Sequence, residues 1–210
     1  MKINVITRCT RIDNLLRIKD FVLDHPLAIS VNWHIIFDCN VLSSIPSDVL
    51  FELQDPQINI HFAKCGDWKC QYYAANDLIS KLKDGYVYFV DDDNIPHPDF
   101  YTGLLKLQAN NPDALGFIFS QWVGGRDFSK LDVRVARPEN IEVGKIDLAQ
   151  YTFHCKLPQA LGVKFKDGYC ADGDFIVDMY NASPTSFAIT DQVLSYYNYV
   201  TEFMQIETNL

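Results

Sequence analysis

YVYFVDDDNIPHPDF occupies positions 86–100, where the apolar and aromatic residues from Tyr86 to Val90 run directly into Asp91, Asp92 and Asp93. So continuous an apolar run reads as a strand buried on both faces, as parallel strands between two helical layers are. Extended backbone sends Asp91 and Asp93 to one face and Asp92 to the other. Carboxylates about 5 Å apart repel by roughly 3 kcal/mol per pair at an effective dielectric of about 20. A chain that keeps such a cluster offsets the repulsion with raised pKa values or with a cation. Mg²⁺ or Mn²⁺ suits, because hard divalent ions take one or two carboxylates plus phosphate oxygens. An isolated aspartate run reads more readily as a solvated, helix-capping loop. Its place directly after so apolar a strand turns the reading toward a site. A calcium loop beginning at Asp91 is excluded, because Pro96 and Thr102 stand where it needs glycine and glutamate.

Upstream, strand and helix signals alternate. INVITRC (3–9) is a short β-branched strand. RIDNLLRIKDFVLDH (11–25) places Ile12, Leu15, Leu16, Val22 and Leu23 at helical spacing, and Pro26 stops the helix. AISVNWHIIFDCN (28–40) is a second strand, apolar until Asp38. SIPSDVLFELQ (44–54) is a short helix with Ser47 as N-cap, and INIHFAKC (58–65) is a third strand. DWKCQYYAANDLISKLKDG (67–85) is a helix capped by Asp67 and Gly85. The pattern predicts an α/β fold with a mostly parallel sheet and helices on both faces. Downstream, helices are expected at 99–111, 157–163 and 172–182, and strands at 114–123 and 148–155. The segment 187–200 begins as a strand or turn and becomes amphipathic.

The chain has 210 residues, 48% hydrophobic, which is enough for one sizeable core, and no linker or repeat divides it. A single domain is therefore expected over 1–210. The net charge of −9 argues against nonspecific nucleic-acid binding, which needs clustered Lys and Arg. No apolar run reaches the ~20 residues that span a bilayer, and MKINVITRCTR lacks the apolar core of a signal peptide. A cytoplasmic protein is the expectation. The six cysteines form no CxxC pair, so reduced thiols used as small core hydrophobes are expected. VLSYYNYVTEFMQ (193–205) is a candidate for peripheral contact with a membrane or a partner. Its few basic residues favour packing onto the core.

The segment AANDLISKLKDGYVYFVDDDNIPHPDF (74–100) resembles the nucleotide-sugar half of glycosyltransferases with the GT-A fold. It is most similar to family 2-type enzymes, with a DDDN like that of the glucuronyltransferases. VITRCTR (5–11) and Asp38 extend the resemblance toward the N-terminus, so that residues 1–95 would hold the nucleotide sugar and 96–210 the acceptor. The resemblance implies Asp93 as metal ligand in a DxD motif, with Asp91 and Asp92 at the ribose or beside the metal. It implies Thr7 and Arg8 in the first nucleotide-binding loop, Asp38 at uracil, and Asn76 on the preceding helix. Many relatives carry Arg before that asparagine, where this chain has Ala75. Lys69, Arg8 or Arg11 would then supply the missing positive charge. In YCADGDFIVDMY (169–180), similar to the segment that holds the general base of inverting members, Asp174 is favoured as base and Asp172 as helix cap. VGKIDLAQYTFH (143–154) resembles a segment lining the acceptor side, with Asp147 and Gln150 as candidates.

These readings imply a Mn²⁺- or Mg²⁺-dependent transfer of one sugar from a nucleotide diphosphate sugar, expected to be a UDP-sugar, to an acceptor hydroxyl. Inversion follows by family analogy. The absence of a QxxRW motif speaks against a processive synthase. A sugar nucleotidyltransferase is the second reading, although TRCTRIDN (7–14) lacks the glycine-rich loop it would need. A non-catalytic nucleotide- or metal-binding module is the third.

Overall fold

The computed structural model describes residues 1–38, 45–63, 69–124, 131–168 and 170–199. Strand β1 (Lys2–Cys9), helix α1 (Ile12–Leu23), β2 (Ser30–Phe37), α2 (Ser47–Glu52), β3 (Ile58–Phe62), α3 (Lys69–Lys81) and β4 (Tyr86–Phe89) follow in order. The expected alternation is present. The second half adds β5 (Ile95–Pro96), α4 (Phe100–Asn110), β6 (Gly116–Gly124), β7 (Leu131–Arg134), β8 (Tyr151–His154), α5 (Lys156–Leu161), α6 (Ala171–Ala182) and β9 (Phe187–Tyr197).

The strands join one sheet in the order β3-β2-β1-β4-β8-β6-β9-β5, with β7 paired to β6. Pairs among β3, β2, β1 and β4 are all parallel. Beyond β4 the sheet is mixed: β8 runs antiparallel to both β4 and β6, while β9 runs parallel to β6. The expected α/β class therefore holds, and its antiparallel part lies in the second half.

Period-two alternation along each strand divides the core into two layers. Ile3 and Val5 of β1 and Tyr86 and Tyr88 of β4 face a layer with Leu15, Ile18 and Val22 of α1 and Phe100 and Leu104 of α4. Ile6, Val87 and Phe89 face the other, with Leu78 and Ile79 of α3, Leu157 of α5, and Phe175 and Ile176 of α6. Helices thus cover both faces, as parallel strands require.

The switch point lies between β1 and β4. From β1 the chain winds outward through β2 to β3, then returns to place β4 on the other side of β1. Such a reversal opens a crevice beyond the carboxyl ends of the two strands, where ligands of open α/β sheets bind. Arg8 and Arg11 come from the end of β1 and the turn after it, and Asp91–Asp93 directly follow β4.

Several local expectations change. Helix α3 ends at Lys81, so Gly85 is not its cap. It enters β4 with φ +100, and an added Cβ would lie 2.8 Å from Asn4 Nδ2, so both the backbone and the space favour glycine. Ser47 is the first residue of α2, after an N-cap at Pro46. The cap expected at Asp67 lies outside the described residues. Residues 148–150 form a 3-10 turn before β8 instead of strand. The segment after 187 is one eleven-residue strand, and Leu194 within it is fully buried, so as far as Tyr199 it belongs to the core side of the sheet. Cys70 is disulfide-bonded, against the expectation of reduced thiols. Cys9, Cys155 and Cys170 are free. Disulfides persist in oxidising surroundings, so the cysteines no longer argue for a reducing compartment. Among the described residues no helix is long and apolar enough to cross a membrane.

Candidate active site

The three aspartates do different things. Asp92 is 1% exposed and serves the turn after β1. Its Oδ2 accepts from the Thr10 backbone N–H at 2.6 Å, from the Arg11 backbone N–H at 2.5 Å and from Thr10 Oγ1 at 3.1 Å. Its Oδ1 accepts from Arg11 Nε at 2.9 Å and from Arg11 Nη2 at 2.5 Å. A carboxylate so fully satisfied has no lone pair left for a ligand. It fixes the turn that carries the cations.

Asp91 is held by Arg8, whose Nε donates to Oδ1 at 3.0 Å and Nη2 to Oδ2 at 2.6 Å. The same guanidinium reaches across to α6, with Nη1 3.2 Å from Asp172 Oδ1 and Nη2 3.3 Å from Asp172 Oδ2. Arg8 also lies over the ring of Tyr72, 4.6 Å from its centroid. Burial works against the Arg8 charge, and Asp91 and Asp172 more than restore it, so it stays firmly protonated.

Asp93 differs from the other two in that its Oδ1 has no hydrogen-bond donor among the described residues. One oxygen, Oδ2, accepts from Arg11 Nη2 at 2.7 Å. Burial is the chief cause that pushes its pKa up to about 6, and Asp91 adds to it, while Arg11 opposes. The cavity around these groups measures about 210 Å³ and is lined by Arg8, Thr10, Arg11, Gln71, Tyr72 and Asp91–Asp93. Gln71 is locked there by a hydrogen bond to the Cys9 carbonyl at 3.0 Å.

The fit of a divalent ion turns on charge and on free oxygens. Three carboxylates and two guanidiniums line the cavity, and Asp172 joins Arg8 from α6, so the site is negative before any substrate enters. A diphosphate placed there would be repelled without a further cation. Among the described residues no three His, Cys, Asp or Glu side chains form a ready cage. Mg²⁺ and Mn²⁺ do not need one, since a single carboxylate with phosphate oxygens and water suffices. Asp93 Oδ1 can supply that carboxylate, so the residues fit the ion through Asp93.

Other expected residues lie elsewhere. Thr7 is fully buried, and its Oγ1 accepts from Trp33 Nε1 at 2.9 Å, so it packs the sheet instead of facing the cavity. Asn76 clamps the segment before α6: its Nδ2 donates to the Phe165 carbonyl at 3.0 Å and its Oδ1 accepts from the Phe165 N–H at 2.9 Å. Asp38 follows β2 at the same sheet edge as the site. The side chain of Lys69 lies outside the described residues. Asp172 is not a helix cap, since the N-cap of α6 is Cys170. It turns toward Arg8. Asp174 lies about 200° further round the helix, away from the face that Asp172 turns to Arg8, while Lys166 pairs with Asp178 at 2.5 Å.

Thr10, Gln71 and Tyr72 entered no sequence reading. Their signal was the short reach between the β1 turn and the first turns of α3, which only the fold supplies. On the far side, Asp147 accepts from Gln121 Nε2 at 3.1 Å and from the Ala149 N–H at 2.9 Å, with Arg134 Nη1 3.9 Å away. Burial raises the Asp147 pKa, and Asp91 adds to the rise. Asp147 therefore shares the field of the cluster. Gln150 instead closes the turn by accepting from the Asp147 N–H at 2.9 Å.

No family model matches the chain, and no curated protein matches it. Solved structures do. The likeness is one of fold. The crystal structure of Staphylococcus aureus TarS residues 1–349 superposes with a TM-score of 0.66 at 14% identity, over 98% of this chain and 63% of that one. TarS 1–349 in complex with UDP-GlcNAc gives 0.68 at 13% identity, over 94% and 58%. Its complex with UDP gives 0.65 at 14% identity, over 94% and 60%. The chain thus spans about three-fifths of the length of these TarS structures.

Proposed function

We propose that this chain transfers a sugar from a UDP-sugar to an acceptor hydroxyl with the help of Mn²⁺ or Mg²⁺. The carrying observation is the arrangement at the switch point: among the described residues Asp93 keeps one oxygen without a donor, in a negatively charged crevice rimmed by Arg8 and Arg11. The fold it shares with TarS, solved with UDP and with UDP-GlcNAc, supports the choice of donor.

Asp93 would hold the ion. When bound, the ion supplies positive charge against the negative charge that develops on the departing diphosphate. Arg11 is anchored through Asp92 and adds a fixed cation at the same place. Tyr72 offers a ring beside Arg8. Asp172 is the better-placed base, because it stands across the crevice from Asp91, whereas Asp174 lies about 200° further round α6. It takes the acceptor proton, and attack opposite the leaving group inverts the anomeric carbon. Arg8 holds Asp172 in position.

The test is UDP release from a panel of UDP-sugars with Mn²⁺, with and without mixed hydroxyl acceptors. Wild type is expected to release UDP from one donor far faster than Asp93→Ala. Retained UDP binding without release from any donor would favour the non-catalytic module.

A further inference from the structure

The second half carries a groove that the transfer chemistry does not use. It measures about 510 Å³ and is lined by Val133, Arg134, Val135, Arg137, Asn140 and Lys145. No carboxylate lines it, in a chain whose net charge is −9. Three cations share this wall; Arg134 and Lys145 have carboxylate neighbours in Asp147 and Glu142, and Arg137 has none among the described residues.

The three cations differ in commitment. Arg134 is the inner one. It donates to Gln121 Oε1 at 2.9 Å, lies 3.9 Å from Asp147 and stacks over Tyr197 at 5.3 Å. Lys145 is exposed and pairs with Glu142 at 2.8 Å, an exchangeable surface contact of small net value. Arg137 is exposed, and its guanidinium has no ion-pair or hydrogen-bond partner among the described residues. A planar fork of five donors left open beside a second cation matches phosphate or carboxylate oxygens.

Arg134 lines the groove and lies 3.9 Å from Asp147. A molecule seated against Arg137 and Lys145 would run past Arg134 and Asp147. We infer that the acceptor is anionic, a hydroxyl-bearing molecule whose phosphate or carboxylate group binds Arg137 and Lys145 while its hydroxyl reaches the centre. This rests on the transferase reading for the hydroxyl, and on the groove alone for the anion.

The experiment uses the full chain saturated with UDP and Mn²⁺, titrated calorimetrically with galactose 6-phosphate, galacturonate and galactose. The same titrations are run on Arg137→Gln and on Arg137→Gln/Lys145→Gln. Galactose 6-phosphate or galacturonate is expected to bind wild type at least tenfold more tightly than galactose. The double variant is expected to lose about tenfold of that affinity and to bind UDP as wild type does. Preference for one anion names the group. Equal binding of galactose, or undiminished anion binding by the double variant, would overturn the inference and leave the transferase reading standing if UDP still binds. Anion binding that needs Arg137 in a protein with no affinity for UDP would keep the groove and remove the transferase.

Discussion

Arg8 grips Asp91 through both of its carboxylate oxygens, at 3.0 and 2.6 Å, and spends its remaining donors on Asp172 across the crevice. One guanidinium thus ties the end of β4 to the start of α6, two segments 81 positions apart in sequence. Both partners are largely buried, with side-chain exposures of 11% for Arg8 and 23% for Asp91. Removing one member of such a pair strands the other charge, at a cost of about 3 kcal/mol or more. Arg8→Ala is expected to lower the midpoint of urea unfolding accordingly, and Arg8→Lys to recover only part of it because lysine cannot make the fork. An unchanged midpoint in Arg8→Ala would show the pair to be incidental.

Asp92 and Asp93 should separate stability from activity. Asp92→Ala removes the acceptor of two backbone N–H groups and of Arg11. Each buried donor left unpaired costs about 1–3 kcal/mol, so a clear fall in thermal stability is expected. Asp93 is nearer the opening, and its loss relieves repulsion from Asp91. Asp93→Ala should therefore melt within a few degrees of wild type while losing metal-dependent UDP release. The paired melting curves and release rates check this.

Asp172 and Asp174 offer a second contrast. Asp172→Asn is expected to reduce transfer by about 10²–10⁴-fold, the range of general-base catalysis. Asp174→Asn, which alters a charge on the face of α6 turned from Arg8, should stay within about twofold. Initial rates at saturating donor distinguish them, and the opposite ranking would return the base to Asp174.

Acid should weaken the fold through a pair far from the crevice. His34 Nδ1 lies 3.1 Å from His61 Nε2, and His34 Nε2 is buried without a partner among the described residues. Burial first, then His61 and Lys2, lowers the His34 pKa from 6.5 to about 4. The folded state keeps the ring neutral while the unfolded chain takes up a proton, so the stabilisation is complete above pH 6.5 and is lost as pH falls toward 4. By pH 5 the loss is on the order of 2 kcal/mol. Urea unfolding at pH 7 and pH 5 measures it, and His34→Gln is expected to flatten the difference.

The legible part of this chain was the part governed by local periodicity. Apolar runs ending in Asp38 and Asp91 marked β2 and β4, and the alternation with α1 and α3 gave the parallel half of the sheet. What failed depended on facing and on distance along the chain. Thr7 lies in β1, where the register sets each side chain to one layer or the other, and it fell against Trp33. Asn76 sits on a helix whose turn toward Phe165 is fixed by contact with a segment 89 positions away. The division of labour among three adjacent aspartates came from the bend after β4, which no periodicity encodes. Arg8 and Arg11 were legible as cations, and their partners were not.

Whether Asp93 holds a divalent ion against a nucleotide diphosphate is measured by calorimetric titration of UDP into wild type and Asp93→Ala, each with Mn²⁺ and with EDTA. Tight binding is expected only for wild type with Mn²⁺, and weak binding in the other three conditions. Equal, manganese-dependent binding by Asp93→Ala would contradict that expectation.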